Sequence, residues 1–131
     1  MLTKSNQLPM GNQKQQSMGK PTELDCRASM LPIQDALEAL NGKWKLLIIS
    51  SISLGNTRFK EIERSIPKIS SKVLAKELKD LENNLLIKRT VSDYSAVLTE
   101  YSLRPHAETL KDVLIALRDW GKLHRKAIID K

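Results

Sequence analysis

Between residues 68 and 82 the chain reads KISSKVLAKELKDLE, which sets Lys68, Lys72, Lys76 and Lys79 among regularly spaced leucines. Ammonium groups at such spacing can neutralise an ordered array of anions. Wound as a helix at about 100° per residue with Lys72 as origin, Lys76 falls near about 40° and Lys79 near about 340°, while Leu74, Leu78 and Leu81 lie between about 180° and 240°. One side is apolar and the other cationic. Glu77 and Asp80 flank the lysines, so the plainer reading, a solvated helix surface, stays open. Ser70 is the expected N-cap, and Ser71 follows it at a helix end whose free N–H groups and dipole favour a phosphate. Lysine is a point charge, and this face carries no Arg, Asn or Gln, so phosphate contact is expected ahead of base reading.

The elements that must hold this helix follow from periodicity. Ile33, Ala36, Leu37 and Leu40 have helical spacing after Pro32, which suits a first helical turn, and Gly42 can close that helix in a left-handed conformation. In KWKLLIISSI, Trp44, Leu47, Ile48 and Ile52 form a broad apolar face, and this segment is expected to be the most buried. Thr57 can cap a short helix lined by Phe59, Ile62 and Ile66 and stopped by Pro67. LIKRTV and LTEYSL alternate apolar and polar residues and read as two strands joined by SDYSAV, a loop of about six residues. Leu110, Val113, Leu114, Leu117, Trp120 and Leu123 then repeat at helical spacing from about Pro105 to Ile129, a helix of roughly 24 residues or ~36 Å.

With 131 residues, 40% of them hydrophobic, the chain has room for one small core. Its net charge of +7 favours polyanionic partners, nucleic acid before an anionic membrane surface. Residues 1–22 hold Lys4, Lys14 and Lys20 and no acidic residue, and they read as a flexible basic tail ahead of one folded domain over residues 23–131. No run approaches the ~18 apolar residues of a membrane span and no signal-peptide core follows Met1, so a cytoplasmic protein without membrane partners is expected. A single cysteine, Cys26, excludes an internal disulfide and multi-cysteine zinc patterns. His106 and His124 have no clustered carboxylates. No phosphate loop, nucleophile with attendant base or paired-carboxylate motif occurs, so neither enzyme activity, a metal nor a cofactor is expected. Trp44 and Trp120 read as packing anchors; a pocket between them for a small aromatic effector is the alternative.

Three helices followed by a hairpin is the order of a winged helix-turn-helix. The expected fold is mainly α with a small β-hairpin wing and a long C-terminal dimerisation helix, and the helix over about 70–83 is placed to enter the major groove of duplex DNA. The candidate DNA-contacting residues are Arg58, Lys68, Ser70, Ser71, Lys72, Ala75, Lys76, Lys79, Lys88 and Arg89. The last helix is longer than a small domain can cover, and a second copy of the chain is the expected partner, through Ile33, Leu37, Leu110, Val113, Leu114, Leu117, Trp120 and Leu123. A winged helix that binds protein instead of DNA is the alternative function, because a fold does not fix a function.

The chain resembles the HxlR-type winged helix-turn-helix regulators, relatives of the MarR group. The resemblance spans roughly residues 31–121. It rests on ALNGKWKLLII (39–49), RFKEIERSIPKISSKVLAKELKDLE (58–82), LIKR (86–89) and EYSL (100–103), four fragments in the right order. It implies a homodimeric, sequence-specific DNA-binding transcription regulator, joined through its N- and C-terminal helices and in many members responsive to electrophiles or oxidants. Three departures qualify it. Leu31 stands where many members carry a reactive cysteine ahead of the proline, leaving Cys26 as the one candidate redox residue, with acidic Glu23 and Asp25 beside it. Leu98 stands where a basic residue commonly precedes the second wing strand, which argues against a wing arginine in the minor groove. Leu85 replaces the glycine after the recognition helix, so Asn84 is expected to take the left-handed closing position.

Overall fold

A computed structural model describes the backbone of residues 23–92 and 95–130, and the side chains of residues 26–91 and 99–130. Two compact units divide between residues 39 and 40. The first contains one described helix, α1 (Glu23–Ala39). It begins nine residues ahead of the start expected at Pro32, which lies inside it. Proline cannot donate to the carbonyl four residues back, which costs about 3 kcal/mol in a helix interior. Ala28, Met30 and Leu31 are good helix formers, and no glycine or second proline interrupts residues 23–31, so propensity carries the helix across. Gly42, beyond the helix, has the left-handed φ, 86°, expected of it.

The second unit is built around α2 (Lys45–Ser53), α3 (Phe59–Ser65) and α4 (Ser71–Asn83). Ile48, Ile49 and Ile52 of α2 meet Ile62 of α3 and Leu74, Leu78 and Leu81 of α4 in one buried cluster. Trp44 and Phe59 pack against it as partly buried residues. The expected inward role of Leu47 is corrected: it is 46% exposed while its neighbour Ile49 is fully buried. A run apolar on every side leaves periodicity unable to choose the face, and packing against α3 and α4 chooses Ile49. The expected Thr57 cap is corrected too. Arg58 is the N-cap of α3, and Glu61 reaches back to accept from the backbone N–H of Thr57 at 3.1 Å and of Arg58 at 3.2 Å.

Two strands, β1 (Ile87–Ser92) and β2 (Ser95–Leu103), pair antiparallel from Ile87 opposite Leu103 to Ser92 opposite Ser95, with a register irregularity between Thr90 and Ser92. The loop expected over 92–97 is therefore replaced by longer strands. Ala96 and Val97 break the alternation without breaking strand geometry, because the register shifts there. Residues 93 and 94, with the acidic Asp93, lie outside the described residues. The single long helix expected from Pro105 is divided into α5 (Pro105–Glu108) and α6 (Leu110–Ile129) at Thr109. There the Thr109 hydroxyl donates to the carbonyl of His106, the kind of side-chain bond that competes with the helix ladder. At about 1.5 Å per residue, the twenty residues of α6 span ~30 Å.

The end of α4 corrects one further expectation. Leu85, not Asn84, is left-handed, with φ 62° against −89° for Asn84. The N–H of Leu86 donates to Leu81 and that of Leu85 to Glu82, both at 3.0 Å, the paired bonds of a Schellman closure. Leu86 and Leu81 are both buried, 7% and 0% exposed, so the apolar contact that goes with this closure holds Leu85 in a conformation a side chain resists. Asparagine's own tolerance of that conformation is local and small. Burial of Leu86 one residue further on decides the position.

Candidate nucleic-acid interface

The turn between α3 and α4 is anchored by Ile66 and Ile69, which are buried, and it passes through Lys68 at φ 69°. Ser70 caps α4 as its sequence predicts, its hydroxyl accepting from the backbone N–H of Val73 at 3.1 Å. Ser71 donates to the Glu63 carboxylate on α3, an added tie between the two helices. Burial of Leu74, Leu78 and Leu81 then fixes the rotation of α4 and turns Lys72, Ala75, Lys76 and Lys79 outward, all exposed. This is the two-sided helix expected from spacing alone.

The acidic neighbours divide into two roles that spacing could not separate. Glu77 turns inward, its side chain 13% exposed, and accepts from the ammonium of Lys45 at 2.6 Å. That pair joins α2 to α4 across the core edge. Sequence reading passed over Lys45, since a partner thirty-two positions away leaves no local signal. Asp80 is shared: its Oδ2 lies 3.1 Å from Lys76 Nζ and 3.6 Å from Lys45 Nζ. The hydrogen bond to Asp80, then its charge, holds the Lys76 ammonium above the ordinary lysine value; the bond from Lys76 is likewise the main cause that holds Asp80 below the ordinary carboxylate value. The pair contributes at neutral pH, and its contribution is lost as pH falls through the depressed Asp80 value or rises through the raised Lys76 value. Among the described residues, Lys72 and Lys79 have no carboxylate at ion-pair distance.

The hairpin stands beside α4. Tyr101 donates its backbone N–H to the carbonyl of Thr57 at 2.8 Å, and Arg58 reaches Glu100 at 3.5 Å, so the start of α3 and strand β2 are tied together. Between α4 and the hairpin runs an open groove of about 350 Å³, lined in part by Ala75, Lys79, Arg89 and Tyr101. Arg89 and Lys88 on β1 are exposed. The structure thus brings Ala75, Lys79 and Arg89 to one groove, with Lys72 and Lys76 on the same helix, while Arg58 is engaged with Glu100.

The proposed dimer residues fall into different settings. Leu110 and Leu114, at the start of α6, pack against the core. Val113, Leu117, Trp120 and Leu123 are 45%, 46%, 59% and 65% exposed, and no residue of α6 is buried. Ile33 and Leu37 on α1 are also exposed, at 50% and 66%. Trp120 stacks on His124 with ring centroids 4.8 Å apart, whereas Trp44 lies against the core with Lys43 over its ring, so the two tryptophans have separate surroundings. Cys26 is exposed near the start of α1. Among the described residues no His, Cys, Asp and Glu group could hold a metal, and no helix is long and apolar enough to cross a membrane.

Helix, tight turn, cation-faced helix and antiparallel hairpin define a winged helix-turn-helix. The family model described as HxlR-like helix-turn-helix matches residues 39–128, and the chain belongs to that family. An uncharacterised helix-turn-helix transcriptional regulator of Methanothermobacter thermautotrophicus is 36% identical over 92 residues, 70% of each chain. The solved structure of the redox regulator HypR in its reduced form superposes with a TM-score of 0.67 at 28% identity, over 76% of this chain and 99% of that one. A MarR-family regulator from Enterococcus faecalis V583 superposes with a TM-score of 0.63 at 29% identity, over 78% of this chain and 93% of the other. The chain is a transcription regulator with a helix-turn-helix fold, and relatives such as these are named as regulators, not enzymes.

Proposed function

We propose that the chain binds duplex DNA sequence-specifically as a homodimer, with α4 in the major groove of each half-site. The observation that carries this reading is the outer face of α4, where Lys72, Ala75, Lys76 and Lys79 are exposed together beside a serine-capped N-terminus. Lys72 and Lys79 contact phosphates, Lys88 and Arg89 extend the contacts along the hairpin, and Ala75 is small enough to let α4 approach the base edges. Dimerisation through the apolar side of α6 sets two half-sites about one helical turn, ~34 Å, apart. Control comes through a small effector or through protein level, since Cys26 has acidic Asp25 and Glu23 close in sequence and no cysteine at position 31. Sequencing genomic fragments retained by the purified protein tests the reading. It predicts one enriched motif with two symmetric halves; retention without sequence enrichment, or retention of protein partners alone, leaves the fold serving another purpose.

A further inference from the structure

Four charged side chains converge where α2 meets α4, and their arrangement is unequal. Lys45 is 7% exposed and holds Glu77 at 2.6 Å, so that inner pair is complete without help. Glu77 reaches Lys76 with its other oxygen only at 4.0 Å, and Asp80 is the closer acidic partner of that lysine. Asp80 lies within 3.6 Å of Lys45 on the inside and 3.1 Å of Lys76 on the outside, and it is 37% exposed against 70% for Lys76. A carboxylate on a solvated helix ordinarily swings away from an incoming anion. Here the buried ammonium gives Asp80 a fixed inner partner, so the negative charge stays on the face that carries the lysines.

We infer that Asp80 is a built-in counter-charge that holds Lys76 and competes with DNA phosphate for it, setting how strongly α4 binds duplex DNA irrespective of sequence. The inference rests on the DNA-binding reading above and deepens it. An ion pair at i and i+4 on an exposed helix is weak on its own, so it does not account for stability. Its consequence is felt in binding. A lysine already neutralised by a carboxylate displaces few of the cations condensed on the DNA phosphates, whereas Lys72 and Lys79 displace them fully. Sequence-independent attraction is thereby restrained while the direct contacts of α4 stay in place, and a regulator that must find one site among many gains from such restraint.

Asp80→Asn is the direct test, with Asp119→Asn as control. The control makes the same charge change and removes a comparable exposed pair, Asp119 with Arg118 at 3.0 Å, on α6. Measured on the full chain against random-sequence duplex, Asp80→Asn binds about tenfold tighter at ~0.1 M salt and steepens the log–log salt slope by about two, one phosphate per subunit. Asp119→Asn stays close to wild type. In a Lys76→Gln background the gain from Asp80→Asn falls to the size of the control. A second measurement does not depend on the folding of Asp80→Asn: in the wild-type background Lys76→Gln flattens the salt slope less than Lys72→Gln does. Equal slopes for those two variants, or an Asp80→Asn protein no tighter than the control, overturn the inference while leaving DNA binding intact. A wild-type protein with no salt-dependent affinity for duplex removes the DNA-binding reading and this inference together.

Discussion

Helices α4 and α6 are written in the same pattern, apolar on one side and charged on the other, and they come to opposite settlements. In α4 the apolar side is consumed by the core: Leu74, Leu78 and Leu81 are 0%, 2% and 0% exposed. What remains outside is charge. In α6 only Leu110 and Leu114 reach the core, and Val113, Leu117, Trp120 and Leu123 stay in solvent. What remains outside there is hydrocarbon. The difference teaches that an amphipathic helix is best read by the face its own domain fails to cover; on the reading proposed above, that face meets phosphates in α4 and a matching apolar surface in α6.

The comparison breaks first at the core. Leu74→Ala removes a fully buried side chain and is expected to cost about 3–4 kcal/mol in urea denaturation, while Leu117→Ala leaves the fold of the isolated subunit nearly unchanged. At a dilution where the subunit is alone, a similar cost for both would mean that α6 is covered within its own chain. The next largest effect concerns what pins α4 to α2. Lys45→Met strands the Glu77 carboxylate and is expected to destabilise by about 3 kcal/mol, and adding Glu77→Leu should recover most of it. Failure of the second substitution to rescue the first would show that Lys45 acts through packing of its own chain and not through the ion pair.

Leu117→Asp sharpens the other half of the comparison. Loss of an apolar contact worth about 2–3 kcal/mol weakens a dimer joined through α6 by about a hundredfold, seen as half-weight particles in sedimentation with an unchanged circular dichroism spectrum. A smaller effect of opposite sign is expected at the end of α4. Leu85→Gly relieves a left-handed side chain that is 59% exposed, and should raise stability by about 0.5–1 kcal/mol. A loss of stability there would mean that Leu85 makes packing contacts that outweigh its backbone strain.

The outward lysines, the Ser70 cap, the stop at Pro67 and the hairpin were legible because each is written within a few residues. Spacing assigns Leu74, Leu78 and Leu81 to one side without knowledge of what they touch. What escaped is what depends on distant chain. The inward turn of Glu77 requires Lys45, and the left-handed Leu85 requires Leu86 to find Leu81 and the core. In α2 the sequence is apolar on all sides, so Leu47 and Ile49 could not be told apart until α3 and α4 were in place. At Pro32 the propensity of the whole segment outweighs a single proline, and at Thr109 a single hydroxyl bond interrupts a segment of helix formers. The outward placement of Lys72, Lys76 and Lys79 is legible from spacing; which of them is held by a carboxylate is not, because Asp80 lies on the boundary between the two faces.

The central claim is that the uncovered side of α4 is the DNA-contacting surface, and the dependence of duplex binding on salt measures it most directly. A dimer engaging about three phosphates per subunit should give a log–log slope near about −5, and the double variant Lys72→Ala with Lys79→Ala, which removes about four contacts from the dimer, should flatten it by about three to four. A double variant that keeps the wild-type slope would place the DNA on another surface and contradict the account.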